Sequence, residues 1–184
     1  MLRSLRMGRV QVVPPVLSHG DPQARFALVL GGILIGVAAW LVLARHPRWA
    51  GLSALGASVP LGFGSFRAVG SEDRVLRFLD SVTDRAFDGA ILPAIAVAMR
   101  HDDMTVAALA VVAVGLSFAA AYIRAKGKAL GYVVRDSLAL RAARYAAVAI
   151  GLLANGLLGA LIAVVAIAAF TAIDESRQVT GQPA

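Results

Sequence analysis

From residue 145 to residue 173 the chain runs for 29 residues without one charged side chain. As a single helix this run would reach about 43 Å at 1.5 Å per residue, well beyond a bilayer core of about 30 Å. Asn155-Gly156 is a turn signal where a hairpin would be needed. The reading adopted is two short spans, 139–154 and 157–173; the alternative is one tilted helix. The same ruler divides the rest of the chain into apolar spans at 26–44, 49–66, 78–99 and 104–122, the second rich in glycine and interrupted by Pro60. With 59% hydrophobic and 16% charged residues and a mean hydropathy of +0.75, the chain reads as an integral membrane protein. The predicted fold is all-α, six transmembrane helices in one bundle. Residues 1–25 form an N-terminal juxtamembrane segment, 26–173 the membrane domain and 174–184 a short tail.

Charge narrows the function classes. The net charge of +7 sits in short connections rather than on a surface suited to nucleic acid, and with no cysteine there is no thiolate chemistry or disulfide. His19, His46 and His101 are scattered and do not pair at helical spacing. Arg3, Arg6, Arg9 and Arg25 precede the first span; Arg67, Arg74 and Arg77 lie between the second and third. Arg124, Lys126, Lys128, Arg135, Arg141 and Arg144 lie between the fourth span and the uncharged run that begins at residue 145. All fall on one side if the spans alternate, so the positive-inside rule places both termini in the cytoplasm of a plasma (inner) membrane protein.

The stretch FLDSVTDRAFDG sets Asp80, Asp84 and Asp88 four apart at the start of the third span. Such residues lie about 6 Å apart along a helix and about 40° apart around it, so the three share a face. Only 11 apolar residues follow, from Gly89 to Met99, so Asp84 and Asp88 must lie below the headgroup level. An aspartate near mid-membrane costs about 2.5–3.5 kcal/mol, which demands a wet cavity, a basic partner or a metal ion. Pairing with Arg85 or Arg67 is the simplest solution. A hard cation such as magnesium, manganese or calcium is the functional one, and such ions often accompany phosphate.

From Arg67 to Asp88 the sequence RAVGSEDRVLRFLDSVTDRAFD resembles the CDP-alcohol phosphatidyltransferases, and more narrowly the actinobacterial phosphatidylinositol-phosphate synthases. The motif of that family reads D-x-x-D-G-x-x-A-R, eight residues, G-x-x-x-D-x-x-x-D. Arg67 matches its arginine, and Asp80 and Asp84 match its last two aspartates with the spacing kept. Gly70 and the DGA of Asp88 to Ala90 are also family-like, as are AYIRAKGKALG and the arginines of RAAR. The first half departs from the motif: its aspartates fall on Val59 and Gly62, its first glycine on Phe63, its alanine on Phe66 and its later glycine on Leu76. No acidic residue occurs between Asp21 and Glu72 to restore them.

The resemblance implies transfer of a phosphatidyl group from a CDP-diacylglycerol-type lipid to an alcohol or sugar phosphate, with release of CMP. It implies Asp80 and Asp84 as metal ligands, Asp84 as catalytic base, Arg67 and Gly70 against the CDP-lipid, and Arg124, Lys126, Arg135, Arg141 and Arg144 around the acceptor phosphate. Magnesium or manganese would serve where transfer survives, and no cofactor where it does not. Loss of two carboxylates removes about half the oxygen ligands, which sets a second reading beside the first: a silent relative that binds lipid or pairs with an intact homologue. A homodimer or such a heterodimer is expected. A small ion-coupled transporter is a distant third reading, since no inverted repeat is visible. Gly32-x-x-x-Gly36 is a close-packing pattern, expected to act within the bundle.

Overall fold

The computed structural model describes residues 21–135 and 137–182; the N-terminal juxtamembrane segment of the sequence reading falls almost entirely outside them. Six helices follow in order: α1 Pro22–Leu43, α2 Pro47–Ala68, α3 Arg74–Met99, α4 Met104–Ala129, α5 Leu138–Leu153 and α6 Leu157–Thr180. The long apolar run is thus two helices, reversed at Asn155, whose φ of 57° is a left-handed conformation that asparagine tolerates better than most residues. α1, α4 and α6 are long and apolar enough to cross a bilayer by themselves. α2 is diluted by glycine and serine, α3 by its charges, and α5 has only 16 residues. These three depend on neighbours to be held in the membrane.

Helix starts follow local chemistry. Asp21, Asp73, Asp103 and Ser137 cap α1, α3, α4 and α5, each side chain accepting from backbone N–H groups of the first turn, and Pro22 and Pro47 open α1 and α2. Asp73 does double duty: its carboxylate also takes Arg25 Nε at 3.0 Å and Nη2 at 2.8–2.9 Å, tying the starts of α1 and α3 together. Burial alone would raise the Asp73 carboxyl, but the Arg25 guanidinium and the Leu76 and Val75 amides outweigh it and hold it below the usual carboxylate range. The clamp is therefore intact at neutral pH and is lost only as pH falls through that depressed value.

The helices close a ring. α1 packs on α2, α2 on α5, α5 on α6, α6 on α4, α4 on α3 and α3 on α1, with a smaller contact between α2 and α3. α3 and α5 meet through long side chains in the interior of the ring. The apolar core is built around Leu28, Ile35, Phe87, Ile91, Leu92 and Ile95.

The close approach of α1 and α2 rests on a reciprocal pair of glycines. A Cβ on Gly31 would stand 2.5 Å from Leu61 Cγ, and one on Gly64 would stand 2.5 Å from Leu28 Cγ. The pattern expected from Gly32 and Gly36 is displaced by one residue: Gly32 meets only the Thr83 methyl at 3.4 Å, and Gly36 meets nothing within 4 Å. Gly31→Val should therefore lower stability by about 1–3 kcal/mol through overpacking, whereas Gly36→Ala should change it by less than about 0.5 kcal/mol. Thermal unfolding of the two variants in one detergent checks the contrast.

Candidate functional site

The three aspartates of α3 descend from the mouth of the ring into its interior. Asp80 is 18% exposed at its side chain, Asp84 is 4% exposed and Asp88 is sealed off entirely. Across the ring, α5 presents Arg141, Arg144 and Tyr145, all buried. The spacing i, i+3, i+4 puts them on one face, the same face that carries Val148 and Leu152 into the core.

The two faces interlock. Arg141 donates from Nη1 to Asp80 Oδ1 at 3.0 Å, and its Nε stands 3.2 Å from Asp84 Oδ1. The same Asp84 oxygen accepts the Tyr145 hydroxyl at 2.7 Å and has Arg144 Nη2 at 3.7 Å. The other, Oδ2, accepts from Arg85. Arg144 Nη1 donates both to Asp88 Oδ2 and to the Ser117 hydroxyl of α4, each at 2.8 Å. Arg85 Nη1 donates to the Ser117 carbonyl at 2.9 Å and passes 3.8 Å from Asp88. From α2, the Ser65 hydroxyl donates to Asp80. The Tyr145 ring lies against Phe87 with centroids 3.9 Å apart. Three carboxylates and three guanidiniums thus neutralise one another within one network touching four helices. Asp88 Oδ1 is the one oxygen of the trio recorded as buried without a hydrogen bond.

The other residues singled out in the sequence divide. Arg67 pairs with Asp21 at the start of α1, through Nε to Oδ2 at 2.7 Å, and shares a shallow cavity of about 320 Å³ with Gly70, Glu72 and Asp73. Gly70 adopts a φ of 71°, which suits it to the turn between α2 and α3. Leu76, at the motif's later glycine, is 1% exposed and part of the core. Val59 is 75% exposed, and Phe63 and Phe66 lie on the same outward side. Gly62 lines the gap between α2 and α5. Arg124 is not with the α5 arginines; it donates through Nε to the buried Glu175 of α6 at 2.8 Å. Lys126 and Arg135 have exposed side chains. The five residues read as one phosphate-binding group therefore occupy three environments.

Tyr145, Ser65, Ser117 and Glu175 were not singled out from sequence. Tyr145 had a signal, since it follows Arg144 and completes the helical face begun at Arg141. Ser65, Ser117 and Glu175 had none, because each acts through a partner more than ten residues away.

A divalent ion does not fit the residues present. Both oxygens of Asp84 and one each of Asp80 and Asp88 already accept from donors, and the side of α2 nearest Asp80 offers only Ser58, Gly62 and Ser65. Ser58 spends its hydroxyl on the Leu55 carbonyl at 2.6 Å. Among the described residues no group of three or more acidic or histidine side chains is arranged to hold a metal. Beside the cluster, α2 and α5 frame a cavity of about 350 Å³. Its wall is apolar at Leu55, Leu61, Leu138, Ala142 and Ala146 and polar at Ser58, Ser65, Arg141 and Tyr145.

Comparison with known proteins places the fold. The chain superposes on a Mycobacterium tuberculosis phosphatidylinositol phosphate synthase (PgsA1) solved with manganese and citrate, at a TM-score of 0.65 and 17% identity, over 88% of this chain and 84% of that one. A second structure of that synthase, with CDP-DAG bound, gives 0.64 and 17% identity over 91% and 90%. No family model matches the sequence, and no curated protein matches it significantly. At this identity the likeness establishes an all-helical membrane fold shared with those enzymes.

The network makes one energetic demand that is easy to test. Asp88→Ala leaves the Arg144 guanidinium buried without its carboxylate and should cost about 3–5 kcal/mol. Asp102→Ala breaks the Arg45–Asp102 pair, whose side chains are 53% and 54% exposed, and should cost about 0–1 kcal/mol. Thermal unfolding of both in the same detergent is the measurement.

Proposed function

We propose that this chain is a lipid-binding relative of the CDP-alcohol phosphatidyltransferases that no longer carries out the transfer. The observation that carries the reading is the state of Asp84. As a base it would need a free oxygen within reach of an acceptor hydroxyl. Instead it is buried, and its two oxygens accept from Tyr145 and Arg85 with Arg141 and Arg144 close by. With both oxygens accepting from donors, neither is open to an acceptor hydroxyl. Arg141 and Arg144, which would meet an acceptor phosphate, are likewise turned inward.

What the fold keeps is a place for a lipid. The α2–α5 cavity has the apolar wall an acyl chain needs and a polar end at Arg141 and Ser65. That a synthase of similar fold was solved with CDP-DAG bound supports a glycerophospholipid as occupant. In this reading the charged end of the bundle and both termini face the cytoplasm of the plasma membrane. The exposed Lys126, Lys128 and Arg135 lie at the level of anionic headgroups there. The chain works as a homodimer or beside an intact homologue. An active transferase is the second reading, favoured by the extent of the structural match to the synthase.

Purified protein given CDP-diacylglycerol, magnesium or manganese and a panel of acceptor alcohols and sugar phosphates should release no CMP. Release that is lost in Asp80→Asn and Asp84→Asn would establish the second reading instead. Native mass spectrometry should find a phospholipid retained by the wild type and depleted in Ala142→Trp, which fills the α2–α5 cavity.

A further inference from the structure

We infer that Arg141 and Arg144 are the resident cations of this bundle: reaching from α5 across the ring to Asp80, Asp84 and Asp88, they supply the counter-charge a divalent ion would supply, so the protein is closed without metal and takes up none.

The inference starts from topology. α3 and α5 meet through side chains in the interior of the ring, where Tyr145 packs on Phe87 and whatever stands beside that contact must satisfy three carboxylates. A mobile divalent ion would do this by gathering about six oxygen ligands at 2.0–2.6 Å. The chain does it with tethered, planar groups. Arg141 bridges Asp80 and Asp84, and Arg144 bridges Asp84 and Asp88 while also holding Ser117. Arg85, on α3 itself, completes the charge balance from the α4 side, at the Ser117 carbonyl. Each guanidinium therefore spans successive carboxylates of one helix face, in the order in which the face presents them.

Two properties make this exclusive of metal. Guanidinium does not lose its proton in proteins, so the positive charge cannot be discharged to admit an ion. A divalent cation placed among the carboxylates would sit beside three fixed positive charges, with both oxygens of Asp84 and one each of Asp80 and Asp88 already engaged. Nor does α2 offer compensation, since Ser58, Gly62 and Ser65 carry no negative charge. The uncharged α2 face and the inward-facing α5 arginines belong to one charge balance. The inference does not depend on whether the protein transfers a phosphatidyl group, and it goes beyond that question.

The test uses the full-length protein in detergent, with manganese as the probe. Electron paramagnetic resonance should detect no stoichiometrically bound Mn²⁺, and the melting temperature should be the same in millimolar Mn²⁺, in millimolar Mg²⁺ and in EDTA. Stoichiometric Mn²⁺ binding that disappears in Asp84→Asn would overturn the inference. In a second arm, Asp88→Asn and Arg144→Met should each lower the melting temperature, and the double variant should recover most of the loss. Losses that simply add would mean that Arg144 is not the counter-charge of Asp88. The arms also separate this inference from the proposed function. CMP release by a protein that binds no Mn²⁺ would refute the latter alone, and Mn²⁺ binding without CMP release would refute only the former.

Discussion

Charge in a medium of low dielectric must be matched where it stands, and the architecture of this bundle follows from that requirement at Asp84 and Asp88. Two unit charges 4 Å apart interact by roughly 1 kcal/mol in water and roughly 4 kcal/mol at an effective dielectric near 20. Unmatched, the same charges would carry a desolvation penalty of several kcal/mol each. The three aspartates of α3 therefore dictate what α5 must present to them. α5 is short and amphipathic because one of its faces serves that purpose while the rest packs on α2 and α6. Ser65 of α2 and Ser117 of α4 complete the satisfaction of the same groups, so that the polar network and the helix ring specify one another.

The spans were legible in the sequence because hydropathy and length act locally. Asn155-Gly156 marked the break between α5 and α6, and the break between α3 and α4 falls between the spans expected at 78–99 and 104–122. Helix ends were less legible. α3 begins at Arg74, before its apolar stretch, because Asp73 caps it and is itself held by Arg25 from another helix. α4 and α6 continue as helix to Ala129 and Thr180, beyond the apolar residues that announced them, since helix propensity and the Arg124–Glu175 pair carry them onward. The close-packing glycine was off by one, because Gly31 and Gly32 differ only in which of them faces α2.

The candidate site was legible in half. That Asp80, Asp84 and Asp88 share a face is a matter of helical spacing, and so is the need for a partner. Which partner answers is a tertiary fact. Arg141 and Arg144 carry the same charge whether they line a loop facing headgroups or a helix facing inward, and only the rotation of α5 within the ring decides. Basic residues that set topology and basic residues that neutralise a buried carboxylate are indistinguishable in composition.

The segment leading into α5 is held in its own right. Gln182 both accepts from the Val133 N–H and donates to the Val133 carbonyl, while Gln178 accepts from the Arg135 N–H. Gln178 in the last turn of α6 and Gln182 just beyond its cap thus hold the incoming segment at Arg135 and Val133. Between the two anchored residues Val134 points inward, close to Gly127. Two glutamines late in the chain thus hold the backbone ahead of α5 against the end of α6.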